Sequence, residues 1–278
     1  MIKTLFLLMA LTTSNELTYD MTPEMPVTKP KVKRTQEQTP KWFKYPVVKQ
    51  QNLPREPILR DIESHLPLNH PYRAENDKVH WAHEGTHGIN AHIRNLYIRE
   101  GQRVNAAYCL QNRAIVFKEP AITLAQVRSN IPQSMRGATY DNLLARDWQN
   151  RPLYVFDEWA AYVNGTAAGL EMAEKGTWRG QRWDTVLHML QYNVYAIAMI
   201  KATDAQYRRS PSVKAFMKWQ SARTIRLYVK AQKYAAFKHP MQVQYVQRFR
   251  LGDDTASLRE FAKSYFGKQW MKEHWRIK

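Results

Sequence analysis

A mainly helical domain carrying one small antiparallel hairpin is what the chain predicts, and three observations carry that expectation. Apolar residues recur at helical spacing over long windows, one pair of β-prone runs flanks a turn signal, and hydrophobic residues make up 44% of the 278 positions. Val79, Ala82, Thr86, Ile89, Ile93 and Leu96 recur every three or four residues. With Asp77 as N-cap they predict an amphipathic helix over Asp77–Arg99. The runs AAYCL and AIVF stand on either side of Gln111 and Asn112, predicting a hairpin over 104–118. A loop-rich stretch then leads to a second helix, Tyr154–Lys175, ended near Gly176, and further helical patterns cover about 182–202, 211–236 and 254–274.

The ends of the chain differ in character. Met1–Ser14 has one early cation, Lys3, a short apolar run from Leu5 to Leu11 and small polar residues after it, the pattern of an abbreviated export signal. Seven of the fourteen prolines fall between Pro23 and Pro57, among several lysines, so residues 15–60 read as a Pro- and Lys-rich linker or arm whose aromatic end, Trp42, Phe43 and Tyr45, docks on the body. The remainder, 61–278, reads as one folded domain with a basic helical C-terminal part. No run approaches the roughly 18 apolar residues of a membrane-spanning helix, which argues against an integral membrane protein. The single cysteine, Cys109, excludes an internal disulfide framework and reads as a small hydrophobe in a strand.

The net charge is +18, and residues 201–278 hold 18 Lys and Arg against 5 Asp and Glu. Such a surplus favours anionic partners: nucleic acid, acidic lipid head groups or anionic cell-envelope polymers. No specific nucleic-acid motif accompanies it.

Chemistry enters with His83-Glu84-Gly85-Thr86-His87, an H-E-x-x-H motif inside the first predicted helix. Residues four apart share a helical face, so two imidazoles converge on one metal ion while the intervening Glu projects beside it. Gly85 and Gly88 each cost this helix up to about 1 kcal/mol relative to Ala, a cost that needs an offset in close packing. A catalytic zinc takes a third protein ligand. Glu158 is the stronger candidate, because Ala161 and Gly165 continue its stripe and permit close helix packing. Asp157 and His92 are its rivals, and Asp157 is also suited to orient a ligand histidine.

His83, Glu84, His87 and a later helical Glu158 resemble the gluzincin branch of the zincin metallopeptidases, over roughly residues 77–175. The metzincin form is excluded, since Ile89 and Ile93 occupy the positions where it requires Gly and His. The resemblance implies a zincin-like α+β catalytic domain, with His83, His87 and Glu158 on Zn²⁺ and Glu84 as general base. The implied activity is zinc-dependent hydrolysis of a protein or peptide. For the oxyanion donor, Tyr154, Tyr162, His188, Tyr192 and Tyr195 are candidates, and Tyr154 is preferred because it stands one turn before Glu158. Two departures leave the subfamily and substrate open: position 162 is Tyr where the family segment carries Asp, and the hairpin follows the metal helix. The competing expectation is a basic module that binds an anionic polymer through its C-terminal helices, with zinc structural or absent. An exported peptidase at the cell envelope is the leading one.

Overall fold

The computed structural model describes residues 39–70, 76–143 and 151–277. The expected export signal and the arm through residue 38 lie outside the described residues. Helices dominate, joined by a three-stranded antiparallel sheet, as the sequence predicts. Among the described residues no helix is long and apolar enough to cross a membrane.

The first long helices form where the apolar spacing places them. Helix α1 (Pro57–His65) precedes α2 (Lys78–Arg99), and Asp77 caps α2 by accepting from the amides of Val79 and His80 at 3.0 and 3.1 Å. Strands β2 (Val104–Tyr108) and β3 (Arg113–Lys118) make the expected hairpin, with Tyr108 opposite Ala114 and Val104 opposite Lys118. A third strand, β1 (Phe43–Lys44), pairs with the other edge of β3.

The stretch read as an arm therefore ends earlier than residue 60. Tyr45, Leu59 and Ile62 are core residues, and α1 belongs to the folded body. The prolines misled here: Pro57 occupies the first turn of α1, where its missing amide costs nothing.

The stretch between β3 and the next long helix holds short pieces: α3 (Leu124–Ser129), a 3₁₀ turn (Gln133–Met135) and α4 (Ala138–Leu143). Helix α5 (Tyr154–Glu174) is the centre of the molecule. Sixteen of its 21 residues are buried, because α2 and β2 cover one side while α6 (Trp183–Ala202) and α8 (Pro211–Ala231) cover the other. The short α7 (Ala205–Arg208) leads into α8 (Pro211–Ala231), which ends five residues before its expected limit. Helix α9 (Pro240–Leu251), not anticipated in the sequence, starts at Pro240 under a capping box of His239 and Gln242. The helix expected over 254–274 is two, α10 (Ala256–Phe266) and α11 (Lys268–Trp275), divided at Gly267, whose φ of +100° no helix accommodates.

Leu110, Gln111 and Asn112 turn the hairpin with three consecutive positive φ values, 66°, 55° and 57°. Side chains with a Cβ resist that conformation, so an external hold is needed. Asp61 of α1 supplies it, accepting from Gln111 N at 3.0 Å, Asn112 N at 3.3 Å and the Tyr108 hydroxyl at 2.8 Å. Asp61→Ala should lower the unfolding free energy by about 2 kcal/mol, the scale of hydrogen bonds to a charged acceptor. Denaturant melts of the two proteins measure it.

At the far end of β3, Glu119 accepts from Leu153 N at 3.1 Å and so holds the N-cap of α5. Burial pushes its carboxyl up from 4.5 to about 7, against the Leu153 amide and the charges of Arg103, Arg151 and Arg94. The fold thus favours neutral Glu119. That contribution is complete below pH 4.5 and is lost as pH rises through about 7. Glu119→Gln, permanently neutral, should melt above the parent chain at pH 8 and show no such gain at pH 4, as thermal scans at the two pH values would read.

Candidate metal centre

Close approach of α2 and α5 builds the site. A Cβ placed on Gly165 would lie 2.9 Å from the Val79 carbonyl oxygen and 3.4 Å from the His83 Cβ, so glycine there permits the two helices to touch. Gly85 does the same on the opposite face of α2, where an added Cβ would meet Ile62 Cγ2 of α1 at 2.9 Å. The helical cost of Gly85 is offset by that contact.

His83 and His87, one turn apart, bring their Nε2 atoms to 3.1 Å. Glu158 of α5 places Oε2 3.4 Å from His87 Nε2 and 3.7 Å from His83 Nε2. These three side chains form a His-His-Glu group that can hold a metal ion. The separations suit one: donors about 2.1 Å from a tetrahedral ion stand about 3.4 Å apart. Among the described residues Glu158 Oε2 is buried with no hydrogen-bond donor, a costly state that a cation relieves.

Asp157, the neighbour of Glu158, turns to the other ring nitrogen of His87 and accepts from Nδ1 at 2.8 Å. It is 2% exposed and is further held by Asn90 Nδ2 at 2.7 Å and Arg94 Nη1 at 3.3 Å. This is the carboxylate–histidine arrangement that fixes a ligand's ring orientation and tautomer. Asn90 extends the network, its Oδ1 accepting from Tyr108 N at 2.7 Å, while Asn164 Nδ2 donates to Tyr108 O at 2.9 Å. The hairpin is pinned at one residue to both helices of the site.

The two imidazoles are electrostatically unequal. Burial works against protonating His87, yet the charges of Glu158 and Asp157 and the hydrogen bond to Asp157 hold its pKa well above the ordinary value. His83 is held well below, by burial first and then by the charge on His87. A metal ion binding here displaces the proton from His87.

Glu84 is half-buried at the edge of the group, with Oε1 3.9 Å from His83 Nε2 and 3.8 Å from His80 Nε2. Tyr154 stacks on His87, ring centroids 6.0 Å apart. Burial, then the charges of Glu158 and Asp157 and a hydrogen bond to Glu158, push its phenol far above the ordinary range. Tyr162 lies 4.3 Å from the His83 ring and packs in turn on His188 and Tyr192 at 5.1 and 5.4 Å. Four of the five aromatic and imidazole candidates therefore gather here. Tyr195 does not, its hydroxyl being directed to the Met135 carbonyl at 3.4 Å. His92 is exposed and packs on Tyr45, away from the group. Cys109 is buried, with its thiol pushed up to about 12 by burial.

Sequence reasoning missed Asn90 and Arg94, although a signal existed. His83, His87, Asn90 and Arg94 form one polar stripe at helical spacing on a helix that also buries Ile89 and Ile93. A polar stripe on a buried helix implies polar partners opposite.

Searches against protein-family models, curated proteins and solved structures return no match for the chain.

Glu158→Ala should lower metal affinity by orders of magnitude, and His92→Ala should leave it unchanged. Asp157→Asn, which keeps the shape but weakens the hold on His87, should cost about 10–100-fold. Metal titration of the three variants measures all of this.

Proposed function

We propose that the chain is a zinc-dependent metallohydrolase, a gluzincin-like peptidase acting on protein or peptide substrates. The observation that carries this reading is the convergence of two α2 imidazoles and the α5 carboxylate Glu158, with Glu84 beside them. The donor set also favours zinc, since two imidazoles and one carboxylate form a recurrent catalytic zinc site. Bound there, zinc supplies Lewis acidity, which lowers the pKa of water to about 7 and polarises a scissile carbonyl.

The chain's own groups then divide the work. Glu84 takes the proton from the attacking water and returns it to the leaving amine. It suits that role because its carboxylate stays partly exposed beside the group. Asp157 keeps His87 in the tautomer whose Nε2 lone pair faces the metal position. Tyr154, whose phenol keeps its proton throughout the physiological range, donates a hydrogen bond to the developing oxyanion. Export to the cell envelope completes the reading, supported by Lys3 and the apolar run Leu5–Leu11.

The experiment is metal analysis of the purified protein together with a proteome-wide cleavage screen. Glu84→Gln should keep one zinc per chain and lose hydrolysis by about 10²–10⁴-fold. Undiminished cleavage by this variant removes Glu84 from the mechanism, and a parent chain without zinc overturns the reading.

A further inference from the structure

Between Ala205 and Gly252 the chain has eleven Lys and Arg and no Asp or Glu. This stretch builds α8 and α9, and specific bonds join them to α11. Gln232 Nε2, just past α8, donates to Gln242 Oε1 of α9 at 2.8 Å. Arg250 Nε of α9 donates to the Trp275 carbonyl of α11, and Trp275 Nε1 donates to Ser221 Oγ of α8 at 3.1 Å. Tyr228 of α8 lies within the electrostatic reach of both Arg250 and Arg276. The end of α8 thus adjoins the first turn of α9, and the end of α11 links the last turn of α9 to the middle of α8.

The solvent-facing stripes of these helices mix cations with bare aliphatic side chains. The last turns of α8 and the residues after it expose Arg226, Val229 and Lys233, and α9 exposes Met241, Arg248 and Leu251. Val229, Met241 and Leu251 are 42%, 46% and 77% exposed. Glu174 of α5 is engaged by Lys230 at 2.7 Å, and the exposed acids Asp253, Asp254 and Glu273 stand at the border of this surface, after α9 and on α11.

Cations alone would fit any polyanion, but exposed aliphatics gain free energy only where an apolar phase lies behind the negative charge. A bilayer with acidic head groups offers both. Single-stranded nucleic acid would call for exposed aromatic rings, whereas Trp219 and Tyr228 are half-buried and Tyr245 and Phe249 are buried. We propose that the face formed by α8, α9 and the end of α11 is a docking surface for an anionic lipid bilayer. The aliphatics Val229, Met241 and Leu251 enter the head-group boundary, and Arg226, Lys233 and Arg248 contact the lipid phosphates. This inference stands independently of the metal centre, and its test reads no hydrolysis.

The full chain is sedimented with vesicles of phosphatidylcholine alone and of equimolar phosphatidylcholine and phosphatidylglycerol. Binding is expected on the acidic vesicles only, and should fall away in ~1 M salt, where the Debye length is about 3 Å. Arg226→Gln, Lys233→Gln and Arg248→Gln combined should reduce partitioning about 100-fold, close to fivefold per cation. Leu251→Ser, which keeps the charge, should reduce it about tenfold. All four positions are exposed, and thermal melts verify that the variants fold. No binding to acidic vesicles, or binding undiminished in the triple variant, overturns the proposal. So does capture of duplex DNA without vesicle binding, which would assign the face to a nucleic-acid partner.

Discussion

Asp157 is a carboxylate 2% exposed at the contact of two helices, and the surrounding architecture is arranged to satisfy it. A charge at such depth is tolerated only when hydrogen-bonded on several sides. All three of its donors, His87, Asn90 and Arg94, come from α2, one helical turn after another. Reaching them obliges α5 to lie close against α2, which explains glycine at 165. The same Asn90 then uses its carbonyl on the backbone of Tyr108, so the strand position follows from the buried acid as well. Packing and site are one interface. A substitution at Asp157 would disturb the ligand ring, the helix pair and the hairpin together.

Two adjacent acids on α5 divide their tasks by direction. Successive residues on a helix point about 100° apart, so Asp157 and Glu158 cannot both face the space between His83 and His87. Asp157 takes the Nδ1 side of His87. Glu158, longer by one methylene, crosses to the Nε2 side of both rings. The result is a fully bonded acid beside one whose inner oxygen lacks a donor. His83 Nδ1 and the Tyr192 hydroxyl are likewise buried without a partner among the described residues. Unsatisfied polar atoms subtract from stability, and those at this site suit a place that recovers the loss by binding.

Most of the long helices and the hairpin were legible because their patterns are local. Asp77 as N-cap, Tyr154 as the start of α5 and the hairpin turn at Gln111 and Asn112 all follow from neighbours within a few positions. The convergence of His83, His87 and Glu158 was also readable, since fixed helical spacing made two of the three donors face one point and a small-residue stripe marked the partner helix. What escaped were features set by distant contacts. Helix α9 has a weak apolar pattern and is held by packing on α6. Strand β1 is two residues long and exists because β3 offers an edge to it. Pro57 reads as part of the arm, yet it begins a helix, as does Pro240. Asn90 and Arg94 carry no motif of their own, and their role emerges only with the acid that α5 supplies.

The charge distribution follows from the same division of labour. Several acids in the first two thirds of the chain are committed to structure or chemistry: Asp61 to the hairpin turn, Asp77 to the cap of α2, Glu119 to the start of α5, and Asp157 and Glu158 to the imidazoles. In the stretch that forms α8 and α9 there are no acids at all, so its cations leave a local surplus of positive charge. A surplus spread evenly would favour solubility and little else. Concentrated on helices that take no part in the metal centre, and interspersed with exposed aliphatics, it marks a second face with its own physical chemistry.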